Sequence, residues 1–210
     1  GENHRKFDFS DRNRFYSTVV QSINCKNYFR ARKVKSEKLE VLGSARFCQE
    51  WVDMNLEAAM KSENARDSDS QKPRILFFLG NWSYRVRKNE CLSLLNRLSK
   101  LQEVNIVVKG HTRGEDVGGL EKSELQSSSE ISNLIYADER SHSNVLIARS
   151  VGVINFGSSI GLEAILQGKP VCNPCYLTEN ETIFTGSGMV KDAHCDEDVL
   201  DFVSKAASGQ

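Results

Sequence analysis

The sequence predicts an α/β protein: a parallel sheet with helices on both faces, preceded by a basic helical N-terminal segment. Three observations predict it. After Pro73 the apolar runs RILFFLG, VNIVVKG, VGVINFG and PVCNP are short and nearly unbroken, as strands buried on both faces are. Segments of helical spacing lie between them, so strand and helix alternate. Glycine-bearing turns at Gly80, Gly110, Gly157 and Gly168-Lys169-Pro170 punctuate the alternation.

In chain order, RFYSTVVQSINCKNYF predicts a helix, with Phe15, Val19, Ile23 and Tyr16, Val20 at helical spacing. Gly43-Ser44 marks a turn, and CQEWVDMNLEAAM a second helix through Trp51-Val52, Leu56 and Ala59-Met60. The polar KSENARDSDSQKP reads as a linker or surface loop. Strand RILFFLG, helix NECLSLLNRLSKL and strand VNIVVKG follow, then the long loop HTRGEDVGGLEKSELQSSSE and a strand or turn at ISNLIYAD. Helix SNVLIARS, strand VGVINFG, helix SIGLEAILQG and strand PVCNP complete the alternation. The tail CDEDVLDFVSKAA predicts a closing helix, its acids in the first turn and Lys205 near the end, as the helix dipole prefers. The expected division is residues 1–40 as the basic segment and 41–210 as one Rossmann-like domain.

Composition narrows the function. The 28 basic and 28 acidic residues cancel, so no overall field draws the chain to nucleic acid, and any bound anion must be held locally. A content of 39% hydrophobic and 27% charged residues fits a globular chain. The start GENHRKFDFS has no apolar core, and no run approaches the ~18 apolar residues of a membrane span. A cytoplasmic protein is expected, with the basic start able to dock a membrane's inner face. Six scattered cysteines are expected to stay reduced.

In an open parallel sheet, ligands bind beyond the carboxyl ends of the strands. Three places are thereby singled out: Asn81-Trp82-Ser83 after the first strand, Lys109-Gly110-His111 after the second, and Gly157-Ser158-Ser159 after VGVIN. Gly157, Ser158 and Ser159 offer backbone donors and two hydroxyls to a phosphate; the alternative is that Ser159 only caps a helix. Glu163 stands one helical turn of ~5.4 Å beyond Ser159, where a carboxylate can accept from two vicinal ribose hydroxyls. A capping box would need its acid at position 162, which is Leu162. Lys109, His111 and Arg113 alternate at one strand end and could stabilise a phosphate or a departing nucleotide, or be ordinary surface cations. Trp82 reads equally as a core plug or a stacking platform. Cys172 and Cys175 have CxxC spacing, but no helix follows and no second ligand pair stands at zinc spacing beyond His194-Cys195. His142 and Ser143 read as capping residues. No P-loop, GxGxxG or GxSxG occurs.

The stretch VVKGHTRG, with SNVLIARSVGVINFGSSIGLEAILQGKPVCNPCYL, resembles the donor-binding C-terminal half of GT-B glycosyltransferases of bacterial surface polysaccharide synthesis. The nearest resemblance is to capsule-type Kdo and sialic acid transferases and CDP-glycerol transferases, over roughly residues 41–205. It implies a CMP-, CDP- or UDP-linked sugar donor and a glycan or lipid-linked acceptor. Ser158 and Ser159 would hold phosphate, Glu163 would read the nucleotide side, and His111 would contact the nucleotide or its phosphate. By their places at the strand ends, His111 is the candidate catalytic residue stabilising the leaving nucleotide, and Lys109, Arg113, Asn81 and Ser83 complete the candidate donor site. No metal or other cofactor is implied. Thr112 replaces the proline that follows this histidine in the family. The acceptor half is expected on a further domain or partner chain. Two rivals stand beside this reading: an isomerase like UDP-N-acetylglucosamine 2-epimerase, which shares the fold, and a non-catalytic nucleotide or phosphate-binding module.

Overall fold

The computed structural model describes residues 8–62, 72–80, 82, 85–110, 133–138, 140–180 and 182–210. The chain divides into two compact units, residues 1–51 and 52–210.

In the first unit the helix expected from Phe15 onward is replaced by a strand and a shorter helix. Strand β1 (Thr18–Val20) runs into helix α1 (Ile23–Arg30), and β1 pairs in parallel with β2 (Leu39–Val41). The local reason is that Thr18-Val19-Val20 is entirely β-branched, while Ser22 starts the helix by accepting a hydrogen bond from the Cys25 N–H at 3.2 Å. Val20, Val34 and Leu39 form a small core with Phe9, Cys25 and Phe29 packed against it. With β1, α1 and β2 together, this unit is mixed rather than purely helical. Helix α2 (Gln49–Ser62) begins at the boundary.

The second unit carries six strands, all pairs parallel: β3 (Arg74–Phe78), β4 (Asn105–Lys109), β5 (Leu134–Tyr136), β6 (Gly152–Asn155), β7 (Val171–Pro174) and β8 (Lys191–Ala193). Their order is β5-β4-β3-β6-β7-β8. Counted from β3, this is the doubly wound 3-2-1-4-5-6 order of a Rossmann-like sheet. Alternation along each strand assigns the two faces. Ile75 and Phe77 pack against α3 (Lys88–Leu98) and α6 (Asp196–Ser208) through Leu94, Leu95, Leu98, Val199, Phe202 and Val203. Leu76, Phe78, Val107 and Val153 face the other way, against Ile147 of α4 (Ser143–Ala148) and Ala164 of α5 (Ile160–Leu166). Strand β8, Lys-Asp-Ala, has no apolar run to announce it. Among the described residues no helix is long and apolar enough to cross a membrane.

Candidate functional site

The strand order reverses between β3 and β6, which pair in register from Ile75↔Gly152 to Phe78↔Asn155. The chain leaves the carboxyl end of β3 through Leu79-Gly80 and that of β6 through Phe156-Gly157-Ser158-Ser159, so these two exits flank the switch point, the place where open sheets of this kind hold ligands in a crevice. Below it the Phe77 and Phe156 rings meet edge to face, centroids 5.4 Å apart.

The β6 exit is tightly specified. Gly157 has φ +71°, the left-handed region, and a Cβ there would lie 2.2 Å from Thr182 Cγ2. The turn from Thr182 to Gly186 lies beside it, with Phe184 fully buried. The Phe184 N–H donates to Thr182 Oγ1 at 3.2 Å, and the Gly186 N–H to Asp192 Oδ2 at 2.7 Å. A Cβ on Gly161 would meet Asn155 Nδ2 at 2.7 Å and Phe184 Cζ at 3.0 Å, so the start of α5 rests directly on both side chains.

Ser159 does not act as a helix cap. Its backbone is already helical, at φ −56° and ψ −16°, and its side chain makes no capping bond. The Ser158 and Ser159 hydroxyls have no hydrogen-bond partner among the described residues, while their carbonyls accept from Gly161 N and Leu162 N at 3.0 and 3.1 Å. Glu163 lies in α5 with 7% exposure. Lys109 is buried at the end of β4, and its ammonium donates to the Asp138 carbonyl at 2.8 Å, tying the ends of β4 and β5 together. One of the three protons of that cation is therefore committed to the scaffold. Asn81, Ser83, His111 and Arg113 lie outside the described residues.

Trp82 is partly buried against the larger core cluster, with Lys88 Nζ 6.0 Å from its ring centroid. His142 caps α4 by accepting from the Asn144 N–H at 3.3 Å. The CxxC thiols are held protonated at neutral pH. Burial pushes Cys172 up to about 12, and burial together with the bond to Asp192 pushes Cys175 up to about 11. Cys175 Sγ donates to Asp192 Oδ1 at 3.2 Å, and Asn173 Nδ2 donates to the same oxygen at 2.9 Å. Among the described residues no three His, Cys, Asp or Glu side chains gather as metal ligands.

Sequence reasoning missed Asn155, Thr182 and Phe184. Asn155 left a signal, as the one polar side chain in an otherwise apolar strand. Thr182 left none, because its role depends on where the β7–β8 connection passes.

No family model matches the chain, and no curated protein matches it. Solved structures are similar in fold. The UDP-GlcNAc 2-epimerase of Neisseria meningitidis, bound to UDP-GlcNAc, superposes with a TM-score of 0.65 at 20% identity, covering 90% of this chain and 53% of that one. The Methanocaldococcus jannaschii UDP-GlcNAc 2-epimerase, in complex with UDP-GlcNAc and UDP, gives 0.66 at 14% identity, with 93% and 55% covered. The wall teichoic acid polymerase TagF gives 0.54 at 14% identity, with 94% and 51% covered. The chain spans about half the length of each. Its fold is that of one Rossmann-like half of such enzymes.

Proposed function

We propose that the crevice between β3 and β6 binds a nucleotide-activated sugar, and that the chain is the donor-binding half of a GT-B-type glycosyltransferase. The observation that carries this reading is the pair of hydroxyls on Ser158 and Ser159 that have no hydrogen-bond partner among the described residues, on a turn held at the switch point of the sheet. Hydroxyls serving only to cap a helix would be bonded to it.

Ser158, Ser159 and the Gly157 turn donate to the donor's phosphate oxygens, and Glu163 accepts from the ribose hydroxyls. Lys109 contributes positive charge at the neighbouring strand end, and His111 stabilises the leaving nucleotide, with Asn81, Ser83 and Arg113 around the donor. The acceptor hydroxyl, of a glycan or lipid-linked glycan, attacks the anomeric carbon. The bond from that carbon to the phosphate oxygen breaks, its electron pair leaves with the nucleotide, and the hydroxyl proton passes to a base on the acceptor half. No step calls for a metal.

Isomerisation of a UDP-sugar is the second reading. It is supported by the superposition on the UDP-GlcNAc 2-epimerases of Neisseria meningitidis and Methanocaldococcus jannaschii, at 0.65 and 0.66.

A thermal-shift or calorimetric screen against CMP, CDP, UMP, UDP and their sugar conjugates tests the binding. Selective stabilisation by one nucleotide, lost in Glu163→Ala, is expected; a melt unmoved by all of them counts against the reading. Incubation with UDP-GlcNAc and no acceptor separates the two activities, since only an epimerase converts the sugar.

A further inference from the structure

We infer that Asn155 is a positioning residue for the phosphate-binding turn: it bonds to the Ser158 carbonyl and turns that carbonyl away from the crevice. This rests on the reading of the crevice as a nucleotide-sugar site.

Asn155 closes a strand that is otherwise Gly-Val-Ile, and it is 1% exposed. Such a position ordinarily takes an apolar side chain. The amide is only half satisfied there. Its Nδ2 donates to the Ser158 carbonyl at 2.9 Å, while its Oδ1 is buried with no partner among the described residues. The bond from Asn155 Nδ2 to the Ser158 carbonyl is what a polar side chain accomplishes at this buried strand end. The neighbouring sequence makes room for the bond, since any Cβ at position 161 would press on the same Nδ2 at 2.7 Å.

The geometry of the peptide unit supplies the consequence. The Ser158 carbonyl accepts from two donors of the protein, Asn155 Nδ2 at 2.9 Å and the Gly161 N–H at 3.0 Å. In a trans peptide the carbonyl and the following N–H point in opposite directions. Holding the Ser158 C=O toward Asn155 and Gly161 therefore points the Ser159 N–H the opposite way. Without the amide that peptide unit can rotate and present its negative end to a phosphate, which repels it. Asn155 thus sets the sign of the potential at the turn without touching the ligand.

The test separates phosphate recognition from folding and from nucleoside binding. Wild type, Asn155→Ala and Gly161→Ala are titrated with UDP and uridine, and in parallel with CDP and cytidine, while cooperative melting is followed. Gly161→Ala is an independent route to the same bond, because its methyl displaces the Asn155 amide. Affinity for the diphosphate is expected to fall about tenfold or more in either variant, with less than about a twofold change for the nucleoside. Equal losses for diphosphate and nucleoside in both variants reduce Asn155 to a packing residue and overturn the inference. Wild-type affinity for the diphosphate retained in a folded Asn155→Ala also overturns it, while leaving the nucleotide-sugar reading intact. A wild-type chain that binds none of the four ligands defeats that reading itself, and the inference with it.

Discussion

Thr182 closes directly over Gly157: the α-hydrogen of the glycine occupies the only space available, since a methyl group there would stand 2.2 Å from Thr182 Cγ2. The β7–β8 connection is thereby locked to the β6 exit.

Gly157→Ala is expected to destabilise the protein by about 2 kcal/mol or more, from the left-handed backbone and the collision together. Thr182→Ser removes the colliding methyl and should restore part of that loss in the double variant. Urea melts of the four-member cycle measure the coupling; strict additivity would show that the two residues do not meet.

Ser158→Ala with Ser159→Ala should weaken nucleotide binding while leaving the melting temperature within about a degree, because neither hydroxyl has a hydrogen-bond partner among the described residues. A large drop in melting temperature with unchanged affinity would show that the serines are structural. Calorimetry beside a thermal melt reads both quantities.

Burial raises Asp192, but hydrogen bonds from the Gly186 N–H, the Asn173 amide and the Cys175 thiol outweigh it, so its carboxyl ends below the usual range. A carboxylate depressed in the folded state stabilises the protein above its unfolded value of about 3.9, and that contribution disappears as the pH falls through the folded value. The stability gap between wild type and Asp192→Asn should therefore be widest near neutrality and shrink below about pH 4. Denaturant melts across pH check it; a gap that stays constant would mean that the charge is irrelevant.

With Cys91 and Cys172 both pushed up to about 12 by burial and Cys175 to about 11 by burial and Asp192, these thiols stay protonated at neutral pH. Cys195 is exposed. Brief iodoacetamide treatment of the native protein, followed by peptide mass mapping, should label Cys195 and spare the other three. Early labelling of Cys175 would reopen a chemical role for the CxxC.

Arg97 joins α3 to the start of α6, bonding Asp196 and Glu197 at 2.9 Å each, and Asp196 also accepts from the Tyr176 hydroxyl. Asp196→Ala should cost about 1–3 kcal/mol, because it leaves the half-buried phenol without its acceptor. Glu197→Ala should cost distinctly less, as its carboxylate is 70% exposed. Equal losses in chemical denaturation would show that the phenol bond contributes nothing.

Much of this architecture was legible because strand and helix periodicities are written in adjacent residues. RILFF, NIVVK and VIN buried themselves as apolar strands do, and the acid-led tail became α6. Two local readings failed for different reasons. Thr18-Val19-Val20 carries apolar residues at helical spacing, yet β-branching and pairing with Leu39–Val41 made it a strand. Lys191-Asp192-Ala193 has no apolar run, and it is a strand because β7 offers it an edge.

By itself the sequence determined the order of elements from β3 to β7, the parallel sheet and the position of Gly157-Ser158-Ser159 at a strand exit. Those depend on side-chain periodicity and on glycine's backbone freedom, which act within a few residues. The tertiary structure alone decided that Ser159 is not a cap, that Lys109 is tied to Asp138, and that Asn155, Thr182 and Phe184 shape the turn. The reason is that these roles belong to contacts set by strand order and by the path of the β7–β8 connection, and no local pattern encodes which distant residue will arrive there.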